Sequence, residues 1–100
     1  MLNQVIIVGR LANEVKLKEN EDKKVAVITL ACPRTFKNEE GVYNTDFINC
    51  TLWQGIAENT AEYCRKGDLI GIKGRVQEND GQLSIIAEKV TFLSSNKKGE

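Results

Sequence analysis

Histidine is absent from this 100-residue chain, and with it the commonest general base and the commonest metal ligand. The three cysteines, Cys32, Cys50 and Cys64, do not replace it, being odd in number and without CxxC or Cys/His spacing. They read as small buried hydrophobes in a reducing compartment. There is a single proline and a single tryptophan, no Pro/Gly-rich linker and no internal repeat. No apolar run approaches the ~18 residues of a membrane span, so no membrane partner is expected. Met1-Leu2-Asn3-Gln4-Val5 carries neither a basic n-region nor a small-residue cleavage site, which argues for a cytoplasmic protein. Net charge is missing as well: fourteen Lys/Arg balance fourteen Asp/Glu, which argues against a general polyelectrolyte binder. Without a phosphate-cradling glycine loop or a metal constellation, neither an enzyme nor a bound metal or cofactor is expected.

What is present suits one soluble globular domain, with 41% apolar and 28% charged residues. The charges are unevenly placed. Acidic residues gather in turn-like stretches at Glu19, Glu21, Asp22, Glu39, Glu40, Glu78 and Asp80. Basic residues occupy Arg10, Lys73 and Arg75 on strand-like segments, Arg34 and Lys37 near aromatics, and Arg65 and Lys66 at a helix end. A zero total can hide a basic stripe; solvated charges without a collective role fit the composition equally well.

Leu2–Leu11 reads as a first strand, with Gly9 marking a bulge or close backbone approach. Asn20–Lys24 is a polar turn. Val25–Cys32 is a second strand that Pro33, lacking an N–H, should interrupt. Asn38-Glu39-Glu40-Gly41 supplies turn chemistry before a third strand, Tyr43–Trp53. The period then becomes helical, with Ile56, Ala57, Thr60, Ala61 and Cys64 on one side and Gly67 as a stop. Leu69–Gln77 and Gln82–Leu93 form a hairpin about Asn79-Asp80-Gly81. Residues 1–93 thus form the domain, and 94–100 a polar tail expected to fray. The fold class is all-β with one short helix. Three strands, a helix and two strands is the connectivity of the five-stranded OB-fold barrel, which binds oligonucleotides across its second and third strands.

The third strand contains Asp46-Phe47-Ile48-Asn49-Cys50-Thr51-Leu52-Trp53. Alternation places Ile48, Cys50 and Leu52 on one face, apolar enough to be core. Phe47, Asn49, Thr51 and Trp53 share the other, where two rings flank small polar groups as in a stacking platform. Burial of that aromatic face, in a core or against another subunit, fits these residues equally well. Tyr63 reads as helix packing and Phe92 as core.

This segment, with Leu2-Asn3-Gln4-Val5-Ile6-Ile7-Val8-Gly9-Arg10-Leu11, Ala57-Glu58-Asn59-Thr60-Ala61-Glu62-Tyr63-Cys64-Arg65-Lys66-Gly67 and Gly71-Ile72-Lys73-Gly74-Arg75-Val76-Gln77, resembles the bacterial single-stranded DNA-binding protein (SSB) family. The resemblance implies sequence-independent binding of single-stranded DNA. Bases would stack on Trp53, Phe47 and Phe36, and phosphates would meet Arg10, Arg34, Lys37, Lys66, Lys73 and Arg75. It also implies a homo-oligomer, a tetramer more than a dimer, with Leu2, Gln4, Ile6, Val8 and Ile48 at the interface. Two features depart from the family. Gln77-Glu78-Asn79-Asp80-Gly81-Gln82 is a minimal acidic turn where the family carries a long basic hairpin with a further stacking aromatic. The family's acidic tail, which recruits repair and replication partners, has no counterpart in Asn96-Lys97-Lys98-Gly99-Glu100, so such recruitment is not expected of these residues. A primosomal replication protein N-like adaptor would also accommodate the short turn and the missing tail; an OB-fold used only for protein contacts, with Phe47 and Trp53 buried between subunits, is the other alternative.

Overall fold

A computed structural model describes residues 2–94. The chain forms β1 (Val5–Leu11), β2 (Lys18–Asn20), β3 (Lys23–Lys37), β4 (Tyr43–Trp53), α1 (Gln54–Tyr63), β5 (Leu69–Asn79) and β6 (Gln82–Ser94). The strands are ordered β1-β5-β6-β4-β3, with β2 on the outer edge of β3, and a β1–β3 pairing closes the barrel. All pairings are antiparallel except β4–β6, joined at Cys50↔Ile85 and Thr51↔Ile86. A parallel pair needs a long crossover, here α1 and β5. This is the OB-fold barrel read from the element order, with β2 as a three-residue addition.

Three boundaries differ from the sequence reading. The first strand begins at Val5, because Asn3 spends its side chain on β5: its amide donates to the Val76 carbonyl (2.8 Å) and its oxygen accepts from the Val76 N–H (2.9 Å). The Asn20–Lys24 turn is tighter than expected, with only Glu21 and Asp22 at positive φ between β2 and β3. Pro33 does not end its strand. Pairing runs through Pro33↔Thr45 and resumes at Lys37↔Tyr43, so the missing N–H is absorbed at an irregularity. The expected tail at 94–100 lies outside the described residues apart from Ser94, which closes β6.

The core consists of the inward positions of the barrel strands, including Leu11, Ala26, Ile28, Leu30, Cys50, Leu52, Ile70, Ile72 and Ala87, with Ala57 and Cys64 closing one end beside α1. Burial pushes the Cys50 thiol up to about 11, with Cys32 adding to the effect, so Cys50 behaves as a neutral core group. Thr60 is fully buried on the same helix side. Phe92, by contrast, is not core. It is 47% exposed, although it pairs with fully buried Ile70, because it stands near the end of β6 at the rim of the barrel. Its ring rests instead against Tyr63, with centroids 6.1 Å apart.

Two glycines permit close backbone approaches. A Cβ at Gly9 would lie 2.7 Å from Cys32 Sγ and 2.8 Å from the Ala31 carbonyl, where β1 closes on β3. At Gly74 a Cβ would run into the Ile86 carbonyl, beside the bulge that leaves Glu88 unopposed between Lys89 and Ala87. Because backbone cannot move aside cheaply, Gly74→Ala should cost about 1–3 kcal/mol. Thermal unfolding should show a drop of roughly 5–20 °C for a domain of this size. Gly55→Ala, with open space around it, should leave the melting temperature unchanged or raise it.

Candidate nucleic-acid interface

Cross-strand partners in an antiparallel pair share a face, and alternation carries that face along each strand. The register Val25↔Trp53, Val27↔Thr51, Thr29↔Asn49, Ala31↔Phe47 and Pro33↔Thr45 therefore defines one outward surface of β3 and β4. Phe47 is 66% exposed on it and Val27 55%. Trp53 is half-buried at the junction with α1 and lines a groove of about 260 Å³ with Asn20, Glu21, Lys23 and Gln54. The Thr29 hydroxyl donates to Asn49 Oδ1 at 2.7 Å, so the floor between the rings is internally hydrogen-bonded. Six residues at ~3.3 Å each place Phe47 and Trp53 roughly 20 Å apart along β4. A surface of small side chains whose polar groups are paired with one another, with rings at both ends, is chemically suited to planar ligands spaced along an extended chain.

The cations expected from the sequence divide between two surfaces. Arg10 pairs with Ala31, which pairs with Phe47, so it stands on the ring-bearing face two strands away; its Nη1 donates to the Gly67 carbonyl at 3.1 Å. Lys66 lines a groove of about 460 Å³ over Val25 and Val27. Lys37 sits opposite Tyr43 at the other end, its Nζ 5.6 Å from that ring centroid. Arg34 is near this end but engaged: Nε and Nη2 grip Asp46 at 3.1 and 2.9 Å. That pair holds the Asp46 carboxyl below its ordinary range and spends much of the arginine's charge. Lys73 is not brought to this face: it pairs with Ile6 and Lys89 on the β1–β5–β6 side. Arg75 flanks the ring-bearing face from β5, since it pairs with Ile86, which pairs with Thr51, but it is engaged, reaching Glu88 at 3.5 Å and Gln77 at 2.7 Å.

The fold adds residues that the sequence reading did not single out. Lys16 and Lys18 line the same groove as Lys66, Lys18 because β2 pairs it with Val25 and Lys16 because the loop after β1 folds back over β3. Its anchors are Ala12 N–H to the Thr29 carbonyl (2.8 Å) and Thr29 N–H to Asn13 Oδ1 (3.3 Å). Tyr43, 55% exposed, shares the odd parity of Phe47 and Trp53; extending the alternation to the first residue of the strand would have found it. Phe36 is 64% exposed and falls in the stretch Arg34–Phe36, which has no cross-strand partner. Its ring is therefore presented from the arm of the hairpin rather than from the β4 row.

A second surface is apolar. Ile6 and Val8 are 70% and 52% exposed and line a groove of about 310 Å³ with Gly71, Lys73, Thr91 and Leu93. From Val5 to Gly9, β1 pairs on one edge only, with β5, since its pairing to β3 is confined to Arg10 and Leu11. Leu2 and Gln4 are exposed just before this strand, whereas Ile48 is turned inward and packs against the core. Among the described residues no His/Cys/Asp/Glu group could hold a metal ion, and no helix is long and apolar enough to cross a membrane.

Comparison with known proteins places this geometry. Residues 2–93 match the model of the single-strand binding protein family. The chain belongs to that family. It is 44% identical to "Single-stranded DNA-binding protein B" of Bacillus subtilis, over 93% of this chain and 91% of the relative. To "Single-stranded DNA-binding protein 3" of Listeria innocua it is 42% identical, over 99% of this chain and 68% of that one. The barrel superposes on a deletion mutant of the single-stranded DNA binding protein from Thermus aquaticus with a TM-score of 0.76 at 24% identity, covering 95% of this chain and 52% of that one. The SSB domain of a Synechococcus protein gives 0.74 at 17%, covering 91% and 96%. These two likenesses concern the fold. The SSB family resemblance seen in the sequence holds over the whole barrel.

Proposed function

We propose that this SSB family member binds single-stranded DNA without sequence preference and shields it during replication, recombination or repair, in the cytoplasm at the nucleoid. The observation that carries this reading is the exposed ring row on β4, with Phe47 66% exposed on an outward OB-fold surface. Bases stack on Phe47 and Trp53, with Phe36 offering a further ring from the hairpin arm. Stacking contributes about 1–3 kcal/mol per base in OB-fold proteins of this kind, SSB itself among them, and every base has a π-face to offer. Arg10, Lys37 and Lys66, joined by Lys16 and Lys18, take the phosphates. Arg34 and Arg75 join them where a phosphate displaces Asp46 or Glu88, and Lys73 serves only a strand that wraps onto the second surface. The adaptor reading has less support, since the named relatives are single-stranded DNA-binding proteins.

The apolar groove and the open β1 edge support a homo-oligomer, a tetramer before a dimer, because an unpaired strand edge beside exposed Ile6 and Val8 invites a second chain. Leu2 and Gln4 extend that edge, and Ile48 supports it from within the core. The decisive experiment is titration with oligo(dT) while following the fluorescence of Trp53, the only tryptophan. Quenching that weakens as salt rises is the expected result; an unchanged signal with no salt-sensitive binding would remove the DNA reading. Solution mass, measured on the same sample, should correspond to four chains.

A further inference from the structure

We propose that Tyr43 is an additional base-stacking residue, carrying the single-strand path about 13 Å beyond Phe47 toward the β3–β4 turn; this rests on the DNA-binding reading above. Tyr43, Phe47 and Trp53 occupy positions of one parity in the uninterrupted strand β4. Their spacing, four and then six residues, gives a row of about 33 Å at ~3.3 Å per residue. The irregularity near Pro33 belongs to β3, so it does not turn Tyr43 off the face. The ring is 55% exposed, well away from the core that α1 closes.

The setting of the ring is also suited to a nucleotide. Lys37 faces Tyr43 across the pair, with its ammonium over the ring at 5.6 Å. An exposed cation–π contact of this kind is worth about 0.5–1 kcal/mol, less than the ~1–3 kcal/mol of a stacked base. A base therefore displaces the ammonium from the ring and leaves it beside the base's own phosphate.

The turn above is held in place by Asn38. Its Oδ1 accepts from the N–H groups of Glu40 and Val42 at 2.8 and 3.0 Å, and its own N–H donates to the Val42 carbonyl at 2.8 Å. Tyr43 is thus presented from a closed turn. Glu39 and Glu40 sit in that turn and repel phosphates, so the path ends at Tyr43 and does not cross the tip. The β5–β6 turn, with Asp80 and Gly81 at positive φ, supplies no ring of its own.

The test compares wild type, Tyr43→Phe and Tyr43→Leu against oligo(dT) of about four and about ten nucleotides, the lower part of the range covered by one OB-fold. Tyr43→Leu should weaken binding of the longer oligomer by about 5- to 150-fold, the equivalent of one stacked base, while the short oligomer binds as to wild type. Tyr43→Phe should retain wild-type affinity for both. Thermal unfolding of each variant separates a stacking loss from a disturbed hairpin. Equal affinity of Tyr43→Leu and wild type for the longer oligomer would overturn the proposal. So would an equal loss at both lengths, or a Tyr43→Phe loss matching that of Tyr43→Leu. Absence of wild-type quenching would instead remove the DNA-binding reading, and this inference with it.

Discussion

Replacing Phe47 and Trp53 together by alanine should lower the affinity for single-stranded DNA by between about 30-fold and about 10⁴-fold. Each ring is expected to contribute about 1–3 kcal/mol by stacking. At roughly 20 Å apart along β4 the two losses should add, because sites separated by more than ~10 Å without shared partners are close to independent. Anisotropy of a labelled oligonucleotide is the appropriate measurement, since the variant has lost its tryptophan. The loss should be similar for oligo(dT), oligo(dA) and mixed sequences, as the platform offers π-faces rather than a fixed donor code. A loss confined to one sequence, or none at all, would show that the rings serve another purpose. Phe47→Ala alone is the cleaner partial test: its side chain is exposed, whereas half-buried Trp53 packs where β4 meets α1.

Salt should have an effect of comparable size. If Arg10, Lys16, Lys18, Lys37 and Lys66 each neutralise one phosphate, log affinity should fall with log salt at a slope of about −3.5, taking ~0.7 per contact for single strands. Between 50 and 500 mM salt that is roughly a 3,000-fold loss. Lys66→Ala and Lys18→Ala should each make the slope shallower by about 0.7. Lys73→Ala should leave it unchanged, because Lys73 pairs with Ile6 on the other surface. A flat salt response would exclude a phosphate track, and a Lys73 effect equal to that of Lys66 would mean that the strand wraps onto the β1–β5–β6 side.

The charge pattern shows why composition alone was a weak guide. A formal net charge of zero coexists with Lys16, Lys18 and Lys66 around one groove, since the acidic residues are largely drawn into turns and ion pairs. Lys24 meets Glu19 and Glu58, and Arg34 meets Asp46. The Arg34–Asp46 pair spans twelve positions in sequence, so local reading offered no reason to discount Arg34. Lys16 and Lys18 lay in a segment with no strong period; the fold-back of the loop onto Thr29 brings Lys16 to β3, and the β2–β3 pairing brings Lys18.

Local sequence was sufficient for β4. Its period of two separates Cys50 and Leu52 from Phe47 and Trp53, and the structure buries the first pair and leaves the Phe47 ring in water. The helix side with Ala57, Thr60 and Cys64 was equally legible, because a 3.6-residue period gathers those positions wherever the helix docks. Pro33 was misleading, as its missing N–H was absorbed by an irregularity that depends on the partner strand. Phe92 was misleading too: its parity is that of the core, but its place at the barrel rim, against Tyr63, leaves it half in solvent.

The sequence by itself thus determined the order of elements, the OB-fold connectivity, the two faces of β4 and the family. These follow from periodicity and turn chemistry, which act between near neighbours. Tertiary structure decided which cations share the ring-bearing face and which are spent in ion pairs. Those outcomes depend on cross-strand register and barrel closure, and register is fixed only when distant segments pair.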